Sequence, residues 1–120
     1  MIFSLPDREF SVHQLTIIDS LVYDETDYCF FSKCTYFEEN CIFDPFYIHV
    51  LNPQTMYEIE QQILEKYRII RCKDVCNKYP MSNIYEENAI ICISGIWEND
   101  TSYGIWGTQP PKSPPPPQGR

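Results

Sequence analysis

AIICISGIWENDTSYGI, residues 89–105, runs strand-forming side chains up to Gly95, continues through Ile96 and Trp97, and breaks over Glu98–Ser102 before Tyr103-Gly104. β-Branched and aromatic residues suit a pleated, half-buried surface, whereas Asn, Asp and Ser stabilise turns through their own side chains. The segment predicts a buried strand, a tight polar turn and a returning strand. Gly95 and Gly104 suit strand bending and tight turning, and Trp97 suits packing at the rim of that turn.

Working outward, the rest of the chain supports a sheet. Of 120 residues, 43% are hydrophobic and 15% aromatic, with only four glycines, which is enough apolar material for one well-filled core and favours strands by propensity. Leu15–Val22 reads as a first strand, Tyr23–Asp27 as a polar turn and Tyr28–Tyr36 as the returning strand. An acidic connection over Phe37–Pro45 leads to a third strand, Phe46–Leu51, completing an antiparallel meander. The period then changes: Met56, Ile59, Ile63, Leu64 and Tyr67 fall on one helical face, Thr55 and Glu58 form a capping box, and the helix is expected to end near Lys66–Arg68. Ile69-Ile70 with Cys72 is a candidate strand opening, followed by a long connection to Glu87. Ala89–Trp97 and a short Tyr103–Trp106 close the order. The expected fold is a β-rich α+β domain, a small OB-like antiparallel barrel with one helix between strands 3 and 4.

Residues 1–108 form the expected globular domain. Residues 109–120, QPPKSPPPPQGR, hold six of the ten prolines and no core-forming side chain, so they read as an extended polyproline II tail. Pro114, Pro115, Pro116 and Pro117 are the candidate protein-docking residues, offset by one position from the usual spacing to a basic residue in SH3 ligands.

Two segments together resemble the N-terminal OB-like domain of RecD2-type helicases. Leu15–Tyr36, LTIIDSLVYDETDYCFFSKCTY, is similar to its opening hairpin, and Ile93–Ile105, ISGIWENDTSYGI, to its closing Gly, Trp, polar turn and Tyr-Gly. Asp27 stands where that family tends to carry Gly, and Ile105-Trp106 where it carries Gln-Phe. No phosphate-binding G-x-x-x-x-G-K-[ST] loop occurs in the chain, so no ATPase is expected. The resemblance implies an accessory module that binds single strands or braces a motor or partner without turnover.

Charge pulls in another direction. The net charge is −8, with nine acids against two bases in residues 1–51 and four against five in residues 52–80. An acidic surface repels phosphate backbones at long range, leaving Lys66, Arg68, Arg71, Lys73 and Lys78 as the one basic strip. On the strand 28–36, alternation sets Tyr28, Phe30, Ser32, Cys34 and Tyr36 on one face and Cys29, Phe31, Lys33 and Thr35 on the other. Phe31, Lys33 and Tyr47, with Lys66, Arg68, Arg71 and Lys73, are therefore the candidate nucleic-acid-binding residues, rings for base stacking beside cations for phosphate.

Catalysis and cofactors are not expected. His13 and His49 are the only imidazoles and neither sits in a nucleophile signature. The six cysteines, at 29, 34, 41, 72, 76 and 92, lack paired C-x-x-C knuckles; Cys72 and Cys76 with Cys34, Cys41 or His49 are the one combination with zinc-like donors. No basic leader or long apolar run is present, which points to the cytoplasm or nucleus, with reduced thiols and Asn99-Asp100-Thr101 as a plain turn. The expected function is a non-catalytic OB-type module that binds single-stranded nucleic acid or braces a nucleic-acid-processing partner. The alternative is an acidic protein–protein interaction adaptor, viral or regulatory, with a proline-rich docking tail. A protein partner is expected in both, and neither a membrane nor a small-molecule substrate.

Overall fold

The computed structural model describes residues 4–18, 22–25, 29–71, 77–79 and 85–108. Among these residues nine strands and one α-helix lie in this order: β1 (Leu5–Pro6), β2 (Leu15–Ile17), β3 (Val22–Asp24), β4 (Cys29–Glu38), β5 (Cys41–Phe43), β6 (Phe46–His49), α1 (Pro53–Arg71), β7 (Asn77–Tyr79), β8 (Ile90–Glu98) and β9 (Ser102–Thr108), with 3₁₀ turns at Asp7–Glu9 and Val12–Gln14. The domain is β-rich α+β.

Residues 89–105 fold as the sequence pattern predicts. β8 and β9 form an antiparallel hairpin in which Ile96 faces Ile105 and Glu98 faces Tyr103, and the turn is held by Asn99, whose Oδ1 accepts from the backbone N–H groups of Thr101 (3.0 Å) and Ser102 (2.9 Å). That local bonding is the chemistry that makes Asn a turn residue.

β4 is the long strand that organises the rest. One edge carries β2 and β3; the other carries β8 along its first half and β5 along its second. β8 in turn divides one edge between β6 and β4. The chain from Cys41 to His49 fills the gap where β4 and β8 part, pairing first with β4 as β5 and then with β8 as β6, with the cis Asp44–Pro45 bond between the two.

Several expectations are corrected. The segment Phe37–Pro45 is not a loose connection: Glu39 (φ 51°) and Asn40 (φ 62°) are both left-handed, the backbone of a two-residue type I′ hairpin turn, whose twist matches that of the strands it joins. The meander stops at β5, because β6 pairs with β8 instead of β4. The first strand is divided, with five steps from Ile17 to Val22 set against three from Cys34 to Phe31. The helix starts two residues before the expected capping box, where the Asn52 Oδ1 accepts from the Gln54 N–H at 3.0 Å and Pro53 takes the first helical position, which needs no N–H donor. It runs on through Ile69 and Ile70 to Arg71, so these residues open no strand. β7, in the supposed long connection, pairs parallel with β9, and β1 pairs parallel with β6, making the sheet mixed. The ladders form an open path, β1-β6-β8-β4-β2, and the closed OB-like barrel is not drawn by them, since the shared edges of β4 and β8 fan the strands apart.

α1 lays Met56, Ile59, Ile63, Leu64 and Tyr67 onto a core with Leu15, Cys34, Tyr36, Ile48, Ile91, Ile93, Ile96, Tyr103 and Ile105. Polar groups fix its approach. The buried Asp7 carboxylate accepts from the Leu51 and Asn52 N–H groups at 2.9 and 2.8 Å, holding the chain just before the helix. Tyr85 donates to the buried Glu60 carboxylate at 3.0 Å, and Tyr67 donates to Glu98 at the far end. Burial, then the carboxylate beside each, pushes both phenols above their usual range. Among the described residues no helix is long and apolar enough to cross a membrane.

Candidate functional site

The helix covers one face of the sheet, and the other face carries the half-buried Phe31 and Trp97 with the exposed Trp106, Phe37 and Ile42; other exposed apolar side chains stand elsewhere, Tyr23 against Phe30 across β3–β4 and Ile69 and Ile70 on the helix. On β4, Ser32, Cys34 and Tyr36 are buried toward the helix, whereas Phe31, Lys33, Thr35 and Phe37 point outward. An irregularity between Ile93 and Gly95 resets the alternation of β8, keeping Ile91, Ile93 and Ile96 inward and turning Trp97 outward.

Cross-strand register assembles the outer face in rows. Phe31 lies opposite Trp97, which lies opposite Gly104; Lys33 lies opposite Gly95, which lies opposite Trp106. Each tryptophan thus has a glycine as its partner across β8–β9, leaving room for its ring to lie across the backbone. Phe31 and Trp106 are in contact on the diagonal, ring centroids 4.9 Å apart and tilted by 52°. Trp106 is 49% exposed. Further along, Phe37 faces Ile42 across β4–β5, 48% and 69% exposed. Tyr47 is half-buried on β6, opposite Cys92.

β4 and β8 approach closely beneath this surface. A Cβ added to Gly95 falls on the Ser32 carbonyl oxygen, 3.1 Å from its carbon and 3.3 Å from the Lys33 Cα. Only glycine lets the two backbones lie this close.

The sequence-derived cations are placed differently from their rings. Lys33 shares the outer face with Phe31 and pairs with Asp44 at 3.1 Å. Lys66, Arg68 and Arg71 are on α1, with the sheet between them and Phe31. Lys66 donates to the carbonyls of Val12 (2.9 Å) and Leu15, closing the 3₁₀ turn onto the helix. Arg68 and Lys78 hold Glu65 at 2.6 and 3.3 Å, and their hydrogen bonds, Arg68 first, lower its carboxyl to about 2. Arg71 lies 3.9 Å from Glu98. Lys73 and Pro114–Pro117 lie outside the described residues. Phe31, Lys33 and Tyr47 therefore share one face, and the described part of the basic strip belongs to another and is engaged with carboxylates and carbonyls.

The other candidate chemistry is sparse. Among the described residues Cys34, Cys41 and Cys92 carry no disulfide, and no group of three metal-binding side chains occurs; Cys72 and Cys76 lie outside them. Burial pushes the Cys34 thiol up to about 12, which leaves it a packing residue. A groove of about 550 Å³ between the Val12–Gln14 turn and α1 is lined by Val12, His13, Gln61, Gln62, Glu65, Lys66 and Ile69.

Trp97, Trp106, Phe37 and Ile42 are site residues that sequence reasoning passes over. For the two tryptophans the signal is the tripeptide Gly-Ile-Trp, present at 95–97 and again at 104–106, which pairs antiparallel with itself: Gly opposite Trp, Ile opposite Ile.

Compared with protein-family models, curated proteins and solved structures, the chain matches none. The resemblance to the helicase accessory domain rests on the quoted residues alone.

Proposed function

We propose that this chain is a non-catalytic interaction module that docks a protein partner on the outer face of its sheet. The observation that carries the reading is the exposed Trp106 in contact with the half-buried Phe31, flanked by the half-buried Trp97 and extended by the exposed Phe37 and Ile42, on one side of a domain whose other side is covered by its helix. Aromatic anchors of this kind supply most of the energy of protein interfaces, tryptophan above all. The charge distribution agrees, because among the described residues Lys33 is matched by Asp44, Arg68 pairs with Glu65 and Arg71 lies near Glu98, so that these cations face carboxylates already.

A second reading, single-strand binding by an OB-like module that braces a nucleic-acid-processing partner, is favoured by the adjacency of Phe31, Trp106 and Lys33, rings for stacking beside a cation. The expected barrel would require pairing beyond the described ladders.

The test places a photo-crosslinking side chain at position 42 on the outer face, or at the exposed position 62 on the helix, and adds a titration with a 20-nucleotide single strand over a salt series. Docking predicts one defined protein adduct from position 42, none from 62, and no salt-sensitive response to the strand. Equal adducts from both positions sink it, and steeply salt-dependent strand binding that quenches tryptophan fluorescence replaces it with the second reading.

A further inference from the structure

We infer that the outer aromatic face is a polyproline-binding surface and that its occupant is the chain's own segment 109–120. The inference rests on the reading of that face as a docking surface. It joins two features: a group of outward-facing rings, the exposed Trp106 beside the half-buried Phe31 and Trp97, and QPPKSPPPPQGR directly after the strand that bears Trp106.

The chemistry of the two surfaces is complementary. Polyproline II segments make no internal hydrogen bonds and dock their rings between aromatic side chains, and their fixed φ lowers the entropy lost on binding. Phe31, Trp97 and Trp106 form such a lining, with Tyr47 one strand beyond β8 on the same side. Segment 109–120 carries Lys112 and Arg120 and no acid, whereas the other 108 residues carry 17 acidic against 7 basic side chains. Among the described residues around the face, the exposed carboxylates are Asp44, Glu39 at the β4–β5 tip, and Asp100 and Glu25 in the turns at the opposite end, against the cation Lys33.

Reach and tethering favour the segment over an outside ligand. Thr108 lies opposite Cys92, and the Phe31–Trp97 row is five residues along β8 from there, about 17 Å, with two strand spacings adding about 10 Å across. Twelve residues in polyproline II geometry span about 37 Å. A short tether gives an effective concentration on the order of millimolar, so a weak intrinsic affinity suffices for occupancy. An outside partner would then displace the segment.

Both tryptophans of the chain stand in this face, so their fluorescence reports on it directly. The experiment compares the full chain with a full-length variant carrying Pro110→Ser, Pro111→Ser, Pro114→Ser, Pro115→Ser, Pro116→Ser and Pro117→Ser. Far-UV circular dichroism and the urea midpoint serve as fold controls. The variant is expected to show a red-shifted emission and roughly twofold greater acrylamide quenching, with wild-type protection unchanged on dilution and restored to the variant by millimolar synthetic peptide of sequence 109–120. Equal quenching in the two proteins overturns the inference, as does a peptide that fails to protect the variant. Protection that falls on dilution overturns it in favour of a second copy as occupant. Crosslinking from position 42 separates the two ideas: a partner adduct without a quenching difference leaves the docking reading standing alone, and a quenching difference without any partner adduct leaves only the segment's own contact.

Discussion

Gly95 occupies the point where β8 leaves its β6 partner and takes up β4, beside the register irregularity after Ile93. The residue is defined by what its missing side chain would strike, the Ser32 carbonyl group in the middle of β4. That obstacle is backbone within a paired strand, not the movable end of a side chain, so relief requires the two strands to separate along the ladder. Gly95→Ala is expected to cost about 1–3 kcal/mol, the range for inserting a methyl group into a filled space. Ser94→Ala, next to it and half-buried, is expected to stay within about 0.5 kcal/mol. Urea denaturation of both variants checks the contrast, and equal midpoints would show that β4 and β8 are not in close contact there. In the sequence, Gly95 is legible as a position of strand bending. The carbonyl that demands it comes from 63 residues earlier and is invisible until the strands are paired.

Helix α1 shows how competing local signals divide an element. Its apolar stripe was legible, since Met56, Ile59, Ile63, Leu64 and Tyr67 are all buried. Its start differs from the expected one because two N-terminal signals stand three residues apart, Thr55 with Glu58 and Asn52 with Pro53, and the loop held by Asp7 favours the earlier one. The β4–β5 hairpin escaped notice for a related reason: Asn40 suits a left-handed turn, but Glu39 beside it carries no such preference and is carried along by the strands on either side. At the other end of α1, Glu65 gathers Arg68 and Lys78 on the helix surface. Its pKa falls from 4.5 to about 2 on folding, so the interaction stabilises the native state above the unfolded value and is lost as pH drops from about 4.5 through 2. A ¹³C-detected carboxyl titration is expected to place Glu65 lowest among the exposed glutamates, with the depression shrinking in molar salt because the site is open to solvent. A midpoint in the ordinary glutamate range would mean that Arg68 and Lys78 are not engaged with it.

The sheet divides the molecule into a side that holds it together and a side that presents it. Alternation along β4 made that division readable in advance, and Phe31 and Lys33 do lie opposite the buried Ser32, Cys34 and Tyr36. What alternation within one strand cannot supply is register between strands: the sequence groups Lys66, Arg68 and Arg71 with Phe31 although the sheet stands between them, and reads Trp97 as packing at the rim of a turn and Trp106 only as a strand end although both lie beside Phe31. The two Gly-Ile-Trp tripeptides put the division to a test within adjacent residues. Ile105 is 4% exposed and packs inward with Ile96; Trp106, the next residue, is half exposed on the outer face. Ile105→Ala leaves a cavity in the core beneath α1 and is expected to cost about 2–5 kcal/mol. Trp106→Ala removes a larger side chain but only the part already out of water, together with its contact to Phe31, for roughly 1–2 kcal/mol. If the outer face is where a partner docks, the effects on binding invert: the Trp106 variant loses the adduct at position 42 while remaining folded, and the Ile105 variant keeps it wherever it is folded. Urea midpoints and crosslinking yields measured on the same two proteins give both orders. A Trp106→Ala cost equal to that of Ile105→Ala would make the outer face part of the core, and unchanged crosslinking in the Trp106 variant would remove the tryptophan from the interface.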